Sequence, residues 1–121
     1  MKRKILIADD DADTLTLLSK LLHDRGYEVH SLTNAASVVN GLQEWPDLFI
    51  LDKRMALIDG IALCKYLKLN APSRDIPIVM ISGDDCRGKA VAAGVDCFLE
   101  KPVNIQELVR IVDSYMQNQP A

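Results

Sequence analysis

Apolar residues in this chain fall into two kinds of run, short unbroken ones and longer spaced ones, and the two alternate. Lys4-Ile5-Leu6-Ile7-Ala8 is uninterrupted and β-branched-rich, as a strand covered on both faces should be. It ends in Asp9-Asp10-Asp11. Leu15, Leu18, Leu21 and Leu22 then recur at helical spacing behind a front of acids, and Gly26 closes that helix. Tyr27 to Leu32 predicts a second strand, and its polar interruptions at Glu28, His30 and Ser31 suit a sheet edge. Asn34 caps a helix carrying Ala35, Val38, Val39 and Leu42, which Trp45-Pro46 brings to an end. Asp47 to Leu51 is the third strand and delivers Asp52 to its tip. Gly60 to Leu69 reads as a helix with Ile61, Cys64 and Leu67 inward, and Pro72 and Pro77 bracket the following loop. Ile78 to Ile81 is a fourth buried strand ending at Ser82-Gly83. A short helix from Asp85 to Ala93, stopped by Gly94, leads to a fifth strand from Val95 to Leu99, which ends at Glu100-Lys101-Pro102. Asn104 and Glu107 form a capping box for an amphipathic last helix with Ile105, Leu108, Val109, Val112 and Met116 inward.

Five βα units in strict alternation predict an α/β fold: a parallel sheet with helices on both faces, joined by right-handed crossovers. At 121 residues the chain suits one domain, core about 4–116, with 117–121 as tail or linker. Apolar content of 49% and charged content of 26% are ordinary for a globular protein. A net charge of −3 gives no electrostatic reason to expect nucleic acid. The basic start is followed by too short an apolar run for a secretory leader, and no stretch approaches the roughly 20 apolar residues that span a bilayer. Cys64, Cys86 and Cys97 are odd in number and widely spaced, which suits small apolar residues in a reducing cytoplasm rather than a disulfide framework or a zinc site. His23 and His30 have no partners at useful spacing and are read as surface or packing residues; Trp45 is read as a packing anchor.

In a parallel sheet the carboxyl ends of the strands share one edge, where ligand chemistry collects. The first strand brings Asp9 and Asp10 there, the third Asp52, the fourth Ser82 and the fifth Lys101. Acids at a helix start alone would be unremarked capping, and a strand-end hydroxyl or a surface lysine is common; their joint placement is the signal. Three close carboxylates repel, and a divalent cation resolves this. An all-oxygen set that fills only part of the coordination sphere suits Mg2+ (or Mn2+), which keeps waters and accepts phosphate oxygens. A cation, an ammonium and a hydroxyl around a carboxylate nucleophile meet the requirements of phosphoryl transfer to form an acyl phosphate.

The set Asp9-Asp10, Asp52, Ser82-Gly83 and Lys101-Pro102, with Asp52-Lys53-Arg54-Met55 and Asp59-Gly60 around the acid, resembles the response regulator receiver domain of two-component signalling, the CheY-like superfamily. The resemblance runs from Lys4 to about Met116. It implies a flavodoxin-like (βα)5 domain with sheet order 2-1-3-4-5. It implies that Asp52 takes a phosphoryl group from a phosphohistidine on a histidine kinase or histidine phosphotransfer protein. Asp9, Asp10, Asp52 and the backbone carbonyl of Arg54 would hold magnesium. Ser82 would bind a phosphoryl oxygen and shift inward, Lys101 would contact the phosphoryl group, and the peptide before Pro102 would be cis. Phe98 falls at the family's switching aromatic. The output surface would comprise the helix from Asp85, the strand to Leu99 and the last helix, facing an output domain or partner protein. The domain would be cytoplasmic, a monomer or weak phosphorylation-dependent dimer, and no enzyme beyond acting on its own phosphoryl group.

Three departures from the family pattern stand out. Ala56 replaces the usual proline of the acid loop, which frees a φ angle without removing a reacting group. The stretch from Ser82 to Lys101 is shorter than the family norm by nearly one helical turn, which bears on the output face. Phe98 lacks a tyrosine's hydroxyl, so its inward position would rely on packing alone. Arg54 and Asp84, each two residues past a site residue, should project over the entrance, where a pair could hinder the hydrolytic water. Two other functions are weighed. One is a pseudo-receiver acting by contact alone, which the intact acids argue against. The other is a phospho-aspartyl hydrolase, in which a second acid two residues after the nucleophile is expected; Asp52 has Arg54 there.

Overall fold

The computed structural model of the chain describes residues 3–33, 44–55, 59–70 and 73–117. The helix expected after Asn34, the Ala56 position, Pro72 and the tail from Asn118 lie outside the described residues. Five strands, β1 (Lys4–Ala8), β2 (Glu28–Leu32), β3 (Leu48–Asp52), β4 (Ile78–Ser82) and β5 (Cys97–Glu100), pair in parallel in the order β2-β1-β3-β4-β5. The described helices are α1 (Ala12–Asp24), α2 (Gly60–Leu69), α3 (Arg87–Ala92) and α4 (Ile105–Gln117), with a 3-10 turn at Ser73–Asp75.

Side-chain alternation divides the strands between two apolar layers. Leu6, Ala8, Phe49, Leu51, Ile78, Met80 and Phe98 pack with Ile61, Leu63, Cys64 and Leu67 of α2 and Ala90 of α3. Ile5, Ile7, Leu48, Ile50, Val79, Ile81 and Leu99 pack with Leu15, Leu18 and Leu22 of α1 and Leu108, Val112 and Met116 of α4. Every residue of β3 and β4 is buried, whereas β2 at the edge has none that is fully so. Each such Leu or Ile taken fully from water contributes roughly 1.5–3 kcal/mol. Two-sided burial is why the central strands read as continuous apolar runs.

Several boundaries move from their sequence positions, each for a local reason. The helix after β4 starts at Arg87 rather than Asp85, because the Asp84 N–H is taken by the Ser82 hydroxyl and the Cys86 N–H by the Asp84 carbonyl. β5 starts at Cys97 rather than Val95, whose N–H instead closes the end of α3 on the Ala90 carbonyl. Gly94 makes that reversal at φ +101, and Gly26 does the same after α1 at φ +96. The last helix runs on through Gln117. The Asn104 side chain caps it, accepting from the Glu107 N–H at 3.0 Å. Among the described residues no helix is long and apolar enough to cross a membrane.

Candidate functional site

Register places the acids. Ala8 of β1 pairs with Leu51 of β3, so the next residues, Asp9 and Asp52, emerge side by side at the carboxyl edge. Asp52 is 5% exposed and Asp9 2%, while Asp10 is exposed. Asp11 caps α1, its carboxylate accepting the Asp13 N–H at 3.0 Å and the Thr14 hydroxyl at 2.9 Å. The Asp11 N–H in turn donates to the Asp9 carboxylate at 2.9 Å, so the helix cap orients the first acid. One carboxylate oxygen from each of Asp9, Asp10 and Asp52 lies within 4.8 Å of the others.

Lys101 follows β5, its N–H bonded to the Ser82 carbonyl at 2.8 Å and its peptide to Pro102 cis. Its ammonium lies 3.4 Å from Asp52 and 3.8 Å from Asp9. One ammonium does not neutralise three carboxylates. Burial pushes the Asp9 carboxyl up to about 6, the Asp52 charge adding to the rise while the Asp11 N–H and Lys101 oppose it. An excess of close, partly desolvated oxygen donors of this kind fits a small hard dication such as Mg2+.

Ser82 ends β4 at 1% exposure. Its Oγ accepts the Asp84 N–H at 2.9 Å, and the Cys86 sulfur lies 3.6 Å away. On the other side of the site the chain after Asp52 doubles back: Arg54 and Asp59 form an antiparallel bridge, and the Gly60 N–H bonds the Lys53 carbonyl at 2.7 Å. The Arg54 guanidinium grips Asp84 with two bonds, 2.9 and 3.0 Å. Lys53 approaches the same carboxylate at 3.4 Å and Asp59 at 3.8 Å. The Arg54 bond, with help from Lys53 and against the effect of burial, holds the Asp84 carboxyl below its ordinary range.

Phe98 is 5% exposed, and the Arg87 guanidinium covers its ring 4.9 Å from the centroid. Its inward position therefore has a cation–π contact as well as packing. Arg87 also faces Glu100 at 4.0 Å. Asp9, Asp10, Asp52 and Lys101 thus come together, Ser82 ends the neighbouring strand, Phe98 lies against Arg87, and the pairing of Arg54 with Asp84 is present. Sequence reasoning missed Lys53, Cys86, Arg87 and the tight approach at Gly60. Cys86 had a signal in its four-residue spacing from Ser82, and Lys53 in its adjacency to Asp52; Arg87 over Phe98 is a long-range contact with none.

An acid cluster, a lysine and a strand-end hydroxyl lie at the carboxyl edge of a doubly wound parallel α/β domain of order 2-1-3-4-5. The model of the family described as response regulator receiver domain matches residues 5–113, and the chain belongs to that family. It is 32% identical to the phosphate regulon transcriptional regulatory protein PhoB of Escherichia coli over 121 residues, covering 97% of this chain and 53% of that protein. It is 31% identical to the transcriptional regulatory protein PrrA of Mycobacterium tuberculosis, covering 94% of this chain and 50% of that protein. The chain spans about half the length of the curated relatives it matches. A two-component response regulator from Clostridium difficile superposes with a TM-score of 0.89 at 25% identity, over 99% of this chain and all of the other. The chemotaxis response regulator CheY4 of Vibrio cholerae shares the fold, with a TM-score of 0.87 at 23% identity over 95% of this chain and 99% of the other.

Proposed function

We propose that this receiver domain is a cytoplasmic phosphorylation switch whose acceptor is Asp52. The observation that carries this is the placement of the buried Asp52 carboxylate beside Asp9 and Asp10, with the Lys101 ammonium at 3.4 Å. In the reaction an Asp52 oxygen attacks the phosphorus of a phosphohistidine on a kinase or phosphotransfer protein. The P–N bond breaks, the imidazole nitrogen keeps the electron pair and takes up a proton, and an acyl phosphate forms. Asp9, Asp10, Asp52 and the Arg54 carbonyl would hold the metal. Bound Mg2+ (or Mn2+) supplies positive charge to phosphoryl oxygens and relieves the carboxylate repulsion.

Lys101 contributes positive charge to the transferred group, and the Ser82 hydroxyl donates to one of its oxygens. Turning of Ser82 and of the Phe98 ring beneath Arg87 changes the surface of α3, β5 and α4, which meets an output domain or partner protein. The Arg54–Asp84 pair lies across the entrance and slows the water that hydrolyses the acyl phosphate. An exposed, solvent-screened pair contributes little to stability, so its effect is on access. Arg54→Ala and Asp84→Ala are expected to shorten the phosphorylated lifetime; unchanged dephosphorylation in both removes this role. The reading as a whole is tested by incubating the chain with magnesium and acetyl phosphate. A labile adduct of one phosphate by intact mass, lost in Asp52→Asn, is expected. No adduct, or steady turnover of general phosphate esters, contradicts it.

A further inference from the structure

Cys86 lies in the apolar layer beneath α2 and α3, yet its sulfur faces a polar atom. It is 8% exposed and occupies the N-cap position of α3, where its side chain makes no capping bond. The sulfur is turned instead to the Ser82 Oγ at 3.6 Å. The Ser82 main chain is fixed by pairing with β5 and by the Lys101 N–H on its carbonyl at 2.8 Å. A hydroxyl has two lone pairs and one proton to give. Here the Asp84 N–H takes one lone pair at 2.9 Å, and the thiol of Cys86 is placed to take the other. The hydroxyl itself donates to the Asp84 carbonyl at 3.5 Å. With its backbone held, Ser82 reorients its hydroxyl by rotation about χ1, and that rotation breaks all three contacts.

We propose that Cys86 is a positioning residue for Ser82: its S–H donates to the Ser82 Oγ and holds the resting rotamer, setting how readily the hydroxyl turns to a phosphoryl group on Asp52. This rests on the reading of Ser82 as a phosphoryl ligand. A thiol is a weak donor, so the hold is light and adjustable in both directions. Removing the donor releases the hydroxyl; a stronger donor at the same place holds it harder. Plain filling of space by Cys86 gives no such opposition, since both substitutions remove volume and would act in the same direction, alanine more than serine.

The test is the affinity of the full chain for beryllofluoride with magnesium, by calorimetry, for Cys86→Ala and Cys86→Ser, each with Ser82 intact and in a Ser82→Ala background. Cys86→Ala is expected to tighten binding by about 2- to 5-fold and Cys86→Ser to weaken it by a similar factor. Both effects should vanish in the Ser82→Ala background, which isolates the pairwise contact. Shifts of the same sign in the two variants, shifts that persist without the Ser82 hydroxyl, or no shift at all overturn the proposal. Should Cys86→Ala not fold by circular dichroism, Cys86→Ser and its double variant carry the test. Failure of the underlying reading looks different: beryllofluoride then fails to bind the unaltered chain, or binds Asp52→Asn equally well.

Discussion

Gly60→Ala sets two effects of opposite sign against each other. Gly60 is the first residue of α2, held in place by the Asp59 cap, whose carboxylate accepts the Ala62 N–H at 3.3 Å. In an open helical position, alanine for glycine stabilises by about 0.4–1 kcal/mol, because the unfolded chain loses freedom. At Gly60 the added Cβ would lie 2.5 Å from the Asp52 carbonyl oxygen and 2.8 Å from the Lys53 Cα, both backbone atoms. Ordinary contact begins at 3.4 Å, so something must move by about 0.9 Å (3.4 less 2.5). The strand side resists, since the Lys53 N–H is bonded to the Ile81 carbonyl at 3.0 Å and β3 is packed on both faces. Overpacking of this kind costs about 1–3 kcal/mol and outweighs the entropic gain. Whatever displacement reaches Asp52 also moves the acceptor, and a misplacement near 1 Å lowers a positioned reaction by up to roughly 10²-fold. Gly88, within α3, is the control, because a Cβ there meets nothing within 4 Å. Urea midpoints and acetyl phosphate phosphorylation rates should therefore diverge: Gly60→Ala destabilised and slow, Gly88→Ala as stable as the parent or more so, and as fast. Equal or greater stability of Gly60→Ala, with an unchanged rate, refutes the reasoning.

Two further outcomes concern charge. Asp9 carries a carboxyl raised to about 6, so its burial as a carboxylate destabilises the fold above that pH and costs progressively less as pH falls toward the ordinary value near 4. Asp9→Asn keeps an oxygen for the Asp11 N–H and should add about 1–3 kcal/mol at pH 7.5 in EDTA by urea unfolding, little at pH 4, while losing magnesium-dependent phosphorylation. No gain at pH 7.5 counts against the strained cluster. Asp113 behaves oppositely: burial pushes its carboxyl up, but Arg25 and Tyr27 bond to it and hold it below the ordinary range. Its stabilisation is present above about pH 4 and lost as pH falls through the lowered value, so Asp113→Asn should flatten part of the acid-unfolding profile below pH 4. An identical acid limb in the variant contradicts this.

Much of the site is legible in sequence because a parallel sheet turns strand ends into neighbours. Once Lys4–Ala8, Leu48–Asp52, Ile78–Ser82 and Cys97–Glu100 are recognised as strands, Asp9, Asp52, Ser82 and Lys101 must share an edge. Boundaries set by side-chain bonds are less legible: the late start of α3 depends on the Ser82 hydroxyl taking the Asp84 N–H, which no periodicity records. Contacts between residues distant in the chain are least so. The Arg87 guanidinium over Phe98 and the absent side chain of Gly60 against Asp52 appear only when the elements pack. Leu63, buried at 1% beside Cys64, shows the same limit, because α2 is covered over a wider arc than its spacing suggests.

The most direct measurement is to locate the phosphoryl group. The chain is phosphorylated with acetyl phosphate and magnesium, reduced with borohydride, which converts an aspartyl phosphate to homoserine, and mapped by peptide mass spectrometry. Homoserine at position 52, and no conversion at Asp9 or Asp10, is the predicted result. An unaltered Asp52, or homoserine at another acid of the cluster, would contradict the account.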